Sequence, residues 1–199
     1  WYSGSGIYRK AWLIIREKVH FPWGGISITY SMKDIYSAEI SIMELLHNTS
    51  VSPRKIIIKN NLYDQIEKDM PLWSDEKELM LPATSKYTYK TGFTLQKPIL
   101  WDLDNPHLYR LETQLLDEED HSVYSIDTTK FGIRKIIFNR EGFILNGKHR
   151  ILKGVCLHHD GGCVGAAVPK EVWERRIRKL KSIGCNSIRT SHNIPATEF

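Results

Sequence analysis

Residues 36–45 read YSAEISIMEL, with Ala38, Ile40 and Ile42 on one side of the chain and Glu39 and Ser41 on the other. Alternation of this kind marks a strand with one face on a core and the other in water. The run extends over 38–46, and similar runs recur at 10–19, 25–32, 55–62, 87–95, 108–115 and 123–131, rich in Ile, Val, Thr, Tyr and Leu. Polar clusters separate them and read as turns: Asn48-Thr49-Ser50, Trp73-Ser74-Asp75-Glu76 and Asp117-Glu118-Glu119-Asp120. About seven short strands at such spacing predict an antiparallel β-sandwich of immunoglobulin type, with a small barrel as the alternative. The three cysteines, Cys156, Cys163 and Cys185, all lie beyond this region, so the sandwich must close on packing alone.

After Phe138 the pattern changes. The stretch FILNGKHRIL, 143–152, reads as two short strands around Asn146-Gly147, a strong hairpin signal. ILKGV, 151–155, reads as a fully buried strand, and a loop over 156–168 carries Gly161, Gly162 and Gly165. A helix follows, with Pro169 suited to its first turn and Gly184 to its end. Val172, Trp173, Ile177, Leu180 and Ile183 form its apolar stripe, and Arg176 falls inside that stripe, where it needs a partner. CNSIRT, 185–190, is the next strand. Residues 151–190 therefore form one parallel β-α-β unit, whose crossover is expected to be right-handed. One such unit cannot cover both of its faces. It is expected to open an α/β domain cut from a larger protein.

The 199 residues suit one or two domains, and 41% apolar with 26% charged residues is ordinary for a globular chain. No apolar run approaches the roughly 20 residues of a membrane span, which argues against a membrane partner. The visible start has no basic-then-apolar leader pattern. A net charge of +5 does not by itself point to nucleic acid. The basic run ERRIRKLK, 174–181, sets Arg175, Arg178 and Lys181 away from the apolar stripe, as on a solvated helix, so no nucleic-acid partner is expected. Asn48-Thr49-Ser50 fits a glycosylation sequon, best read as a chance match in a turn.

Sites in parallel α/β domains form at the carboxyl ends of the strands. His158, His159 and Asp160 follow the first parallel strand, and Arg189, Ser191, His192 and Asn193 follow the second. Such a rim can bind a hydroxyl-rich ligand; the plainer reading is exposed loop histidines. Cys156, His158, His159, Asp160 and Cys163 are metal-ligating types in one loop, but a spaced second pair is missing. No Gly-rich phosphate loop and no GxSxG elbow is present.

LNGKHRILKGVCLHHD, 145–160, followed by the amphipathic helix and GCNSIRTSHN, 184–193, resembles the start of the catalytic barrel of glycoside hydrolase family 2. GAAVPKEVWERRIRKLKSIGCNSIRTSHNIPATEF is most similar to the β-galactosidase-like branch. WYSGSGIYRKAWL, 1–13, resembles the last strand of that family's sugar-binding jelly roll, while LWDLDNPHLYRLET, 100–113, and FGIRKIIF, 131–138, resemble stretches in and just after its immunoglobulin-like domain. The resemblance implies a mainly β chain with three parts. Residues 1–17 would be the jelly-roll strand, 18–133 the immunoglobulin-like sandwich, and 134–199 the opening of a truncated (β/α)8 (TIM) barrel.

By that resemblance His158 and His192 line a sugar pocket and Arg189 stands at the same rim. Cys156 replaces a usual asparagine, and Ile194 a usual proline, which bears on the loop shape. Retaining glycosidases use two carboxylates about 5 Å apart. The resemblance places both on later barrel strands, beyond Phe199, so no catalytic residue is expected in this chain and the isolated chain is expected to be inactive. No cofactor is identifiable; the resemblance allows Mg²⁺ or Na⁺ in the full-length protein, with no ligands assignable here. The expected activity of that protein is cleavage of terminal β-linked sugars, of β-galactosidase type. Its partner is the carbohydrate, and self-association through the uncovered barrel segment is a further expectation. The alternative is a non-catalytic carbohydrate-binding or adhesion module built on the sandwich.

Overall fold

The structure is a computed structural model that describes residues 6–66 and 70–199. The described residues divide into two compact units: 15–66 and 70–137 with 144–148, and 6–14 with 138–143 and 149–199.

The first unit is the sandwich. One sheet holds β1 (Val19–His20), β2 (Ile26–Ser31), β3 (Ser37–Asn48) and β6 (Ser85–Gln96), with β1 and β2 on one edge of β3 and β6 on the other. The second sheet runs β5 (Trp73–Leu81), β4 (Arg54–Tyr63), β7 (Tyr109–Asp117), β8 (Val123–Phe131). Every pairing in these two sheets is antiparallel, and the chain's three cysteines are free thiols. The architecture is thus the immunoglobulin-like sandwich that the alternation predicts.

Two expectations fail. The segment 10–19 is not a strand; only Val19 and His20 pair, with β3. Strands exist by pairing, and Trp12, Leu13 and Ile15 here meet no sheet edge and stay largely in solvent. Trp1 to Ser5 of the expected jelly-roll strand lie outside the described residues. Trp73 to Glu76 is not a turn but the start of β5, an edge strand. Glu76, Lys77 and Glu78 face water as edge strands tolerate, while Asp75 accepts from the Tyr89 hydroxyl and Trp73 stacks on Phe93 at 4.2 Å between ring centroids.

The inward rows of three strands share one rhythm. On β3, Ala38, Ile40 and Ile42 are followed by Glu44 and then Leu46; on β4, Ile56 and Ile58 by Asn60 and then Leu62; on β7, Tyr109 and Leu111 by Thr113 and then Leu115. The polar residues meet between the sheets and separate two apolar clusters, one with Leu46, Ile58 and Leu115, the other with Ile42, Leu62 and Leu111. Asn60 Nδ2 donates to Glu44 Oε2 at 3.3 Å. The Thr113 hydroxyl lies 2.8 Å from Asn60 Oδ1 and 3.3 Å from Glu44 Oε1. A hydroxyl has one hydrogen. If the shorter contact takes it, the Glu44 contact needs a proton on the carboxyl. Burial, only partly offset by these hydrogen bonds, pushes Glu44 from its ordinary 4.5 up to about 7.

Asn48 is also inward, 1% exposed. Its amide donates to the carbonyls of Ser52, Leu81 and Pro82, and its oxygen accepts from the Ser50 amide and hydroxyl. The sequon is a structural turn whose acceptor nitrogen is enclosed, in line with the chance-match reading.

β9 (Ile136–Asn139), β10 (Gly142–Leu145) and β11 (Lys148–Arg150) form a three-stranded sheet in the order β11-β10-β9. Asn146 and Gly147 turn between β10 and β11 with φ of +52° and +79°, the pair of positive angles a two-residue hairpin favours. Asn146 is held there: its side chain accepts from the Lys135 amide at 3.0 Å and donates to the Trp101 carbonyl at 3.0 Å.

Candidate functional site

The second unit contains β12 (Gly154–Cys156), the helix α1 (Lys170–Ser182) and β13 (Ser187–Arg189). β12 and β13 are parallel, pairing Gly154 with Ser187, Val155 with Ile188 and Cys156 with Arg189. Gly154 is required there, because a Cβ would sit 2.1 Å from the Ser187 carbonyl oxygen. Asn186 clips the strands together at their start: its side chain accepts from the Lys153 amide at 2.8 Å and donates to the Ile151 carbonyl at 2.9 Å. The buried strand expected at 151–155 is shorter than its sequence suggests. Ile151 and Leu152 precede it and are substantially exposed, because a parallel strand buries its apolar run only where helices cover it.

The helix follows the sequence closely. Pro169 is its N-cap, and Gly184, at φ +89°, lies just past its end. Trp173 is its buried anchor, meeting Phe199 edge-on at 5.0 Å. Arg176 finds the partner its position demands. It donates to the Asp160 carbonyl at 2.6 Å, and its guanidinium lies 5.1 Å from the centroid of the Trp173 ring. The helix thereby holds the loop that follows β12.

Beyond the last register pair both strands leave the sheet at the same end. The Leu157 amide still donates to the Arg189 carbonyl at 2.9 Å, and His158 and His192 follow. Their rings meet edge to face, 6.0 Å between centroids at 75°. Ser191, next to His192, sits at φ +48°, a strained angle for a residue with a side chain. The Asn193 amide closes the turn on the Thr190 carbonyl at 3.3 Å. Arg189 stands at this rim, exposed, with Nη1 donating to Cys156 Sγ at 3.8 Å. Imidazoles, a guanidinium and backbone turns offer donors and acceptors for hydroxyl groups, and the histidine rings add apolar faces. Among the described residues no three His, Cys, Asp or Glu side chains converge as a metal-holding group. No described helix is long and apolar enough to cross a membrane.

Known proteins match this chain along its length. The profile of Glycosyl hydrolases family 2 covers residues 24–134, and that of the TIM barrel domain of the same family covers 136–199. The chain belongs to glycosyl hydrolases family 2. The beta-galactosidase BoGH2A of Bacteroides ovatus is 38% identical over 201 residues, spanning 100% of this chain and 23% of that protein. The crystal structure of a family 2 member from Bacteroides cellulosilyticus superposes with a TM-score of 0.88 at 35% identity, covering 100% of this chain and 27% of the other. Bacteroides uniformis beta-glucuronidase 2, solved covalently bound to cyclophellitol-6-carboxylate aziridine, gives a TM-score of 0.86 at 26% identity over 92% of this chain and 22% of its own. The chain spans about a quarter of the length of these relatives. The β-α-β unit is accordingly the start of a family 2 TIM barrel domain.

Two features of this unit escaped the sequence reading. Asn186 was read as part of a strand and not as the clip between two strands. Tyr8, Arg9 and Lys10 lie far from the rim in sequence yet meet it in space.

Proposed function

We propose that the full-length protein carrying this chain is a retaining glycoside hydrolase that cleaves terminal β-linked sugars, of β-galactosidase type. The observation that carries this is the edge-to-face pair His158 and His192 at the ends of adjacent parallel strands, in a family 2 barrel domain. His158, His192 and Arg189 contribute sugar-binding groups. The paired carboxylates lie on barrel strands outside this chain, so the 199 residues alone are inactive. In that protein residues 1–17, of which the described 6–17 join no sheet in this chain, complete a jelly-roll strand against an edge the chain does not contain, 18–133 form the sandwich and 134–199 the barrel opening. Carbohydrate is the ligand, no organic cofactor takes part, and the isolated chain self-associates through the barrel segment. A β-glucuronidase is the second reading, because a structurally similar relative carries that name.

The test is hydrolysis of aryl β-galactosides and aryl β-glucuronides by the full-length protein. The galactoside is expected to turn over faster, and the 199-residue chain to leave both intact. Faster glucuronide cleavage selects the second reading; sugar binding without turnover of either selects a non-catalytic module. His158→Ala and His192→Ala are each expected to lower kcat about 10- to 100-fold, the scale of one hydrogen bond to developing charge. Unchanged kcat/KM in both would remove them from the sugar site.

A further inference from the structure

The three consecutive residues Tyr8, Arg9 and Lys10 each reach a different point on the rim. Tyr8 stacks on His159, next to His158, with ring centroids 6.5 Å apart and planes inclined by 15°. Arg9 spans two successive carbonyls, Nη2 donating to Ile194 at 2.8 Å and Nη1 to Pro195 at 3.4 Å. Its guanidinium also lies 5.7 Å from the Tyr8 ring centroid, so the two side chains brace one another. Lys10 Nζ pairs with Glu198 Oε1 at 2.7 Å. That hydrogen bond holds Glu198 below the usual carboxylate range and Lys10 above the usual amine.

The 190–199 segment carries the Asn193–Thr190 and Phe199–Ala196 backbone turns, the Phe199 ring against Trp173 and the His192 ring against His158, with the strained Ser191 near its start. Arg9 adds bonds to two of its carbonyls from a distant part of the chain. A guanidinium fork suits the task, because its rigid, charged donors take two carbonyls at once. A surface lysine pair adds little beside it.

We propose that Tyr8-Arg9-Lys10 is a strap that holds the two rim loops in register, and that Arg9 is a positioning residue for His192. The proposal rests on the reading of His158 and His192 as sugar-binding groups. The strap sets their separation without touching substrate itself.

The experiment uses Arg9→Ala, Arg9→Lys and Tyr8→Leu in the full-length protein, with two readouts. Amide exchange at Asn193 and Phe199 reports the strap whether or not the protein hydrolyses any glycoside. Arg9→Ala is expected to speed exchange at both by at least about 10-fold, as the 190–199 loop opens locally. On the aryl glycoside that wild type turns over, kcat is expected to fall about 10- to 100-fold while KM changes less than about 3-fold, the mark of misplaced groups rather than lost binding. Arg9→Lys keeps the charge but reaches one carbonyl, so about a third or less of the Arg9→Ala loss is expected. Tyr8→Leu is expected to speed exchange at Leu157 instead. Unchanged exchange in Arg9→Ala overturns the strap. Faster exchange with wild-type kcat overturns the positioning role. If wild type hydrolyses no aryl glycoside, the proposed function fails while the exchange result still decides the strap.

Discussion

In the sandwich, β3 alternates inward and outward residues along all of Ser37–Asn48, whereas the parallel strands Gly154–Cys156 and Ser187–Arg189 contain no fully buried residue. The difference follows from pairing type. Two antiparallel sheets close a core between their inner faces, so local alternation is enough to fill it. A parallel pair is covered only when helices pack on both faces. Here α1 supplies one buried anchor, Trp173, and Ile183 at the end of its stripe is 76% exposed. The sandwich is a self-sufficient support; the barrel opening is a rim whose shape depends on what holds it.

The comparison breaks most easily at Leu62. It is fully buried among Ile40, Ile42, Tyr109, Leu111 and Ile133. Leu62→Ala is expected to destabilise the sandwich by about 2–5 kcal/mol through lost burial and a residual cavity. A urea titration followed by amide exchange at β3 and β4 measures it. A cost below about 1 kcal/mol would mean that this core is not closed.

Glu44 sharpens the same comparison through pH. Its carboxyl titrates near its ordinary 4.5 when the chain is unfolded and at about 7 when folded. Below 4.5 the acid is protonated in both states and its burial costs no ionisation. Between 4.5 and 7 the unfolded state releases the proton first, so stability falls as pH rises, and it levels off once both states are ionised. A shift of this size corresponds to a loss on the order of 3 kcal/mol across the window. The other groups near Glu44 are Tyr89, its register partner on β6, and Asp75 on β5, which accepts from the Tyr89 hydroxyl at 2.8 Å. Glu44→Gln, which cannot ionise, is expected to flatten the profile. Parallel wild-type and Glu44→Gln stability curves from pH 4.5 to 8 would show that another group carries the dependence.

What the sequence disclosed follows the same division. Alternation located β2, β3, β4, β6, β7 and β8, because each residue's face is set by its immediate neighbours. It also held the signal for the polar belt: carrying YSAEISIMEL two positions past Ile42 puts Glu44 on the inward face. β5 was hidden because Ser74, Asp75, Glu76, Lys77 and Glu78 look like a turn unless an edge strand is allowed to be charged. At the strand ends, the place of His158, His159, Asp160, Arg189, Ser191, His192 and Asn193 was legible, and the family resemblance singled out His158 and His192. Arg9 was not, since no local pattern says which distant carbonyls a side chain will reach. The segment 10–19 misled for the converse reason: it has strand composition, but composition cannot supply a partner edge.

The smallest effect is the most discriminating. Ile177 lies on the α1 stripe and is only partly buried in the 199-residue chain. Ile177→Ala there is expected to cost about 1–2 kcal/mol, because part of the side chain still meets water and the site can relax around the lost atoms. In the full-length protein proposed above, further barrel elements would cover the stripe, and the same substitution should approach the 2–5 kcal/mol expected of a closed core. Exchange of α1 amides in both contexts gives the two numbers. A full-size cost in the short chain would show that the β-α-β unit closes its own core, and the contrast with the sandwich would fall. Equal small costs in both contexts would show that the helix stripe stays uncovered in the full-length protein, against its placement as the first helix of a complete barrel.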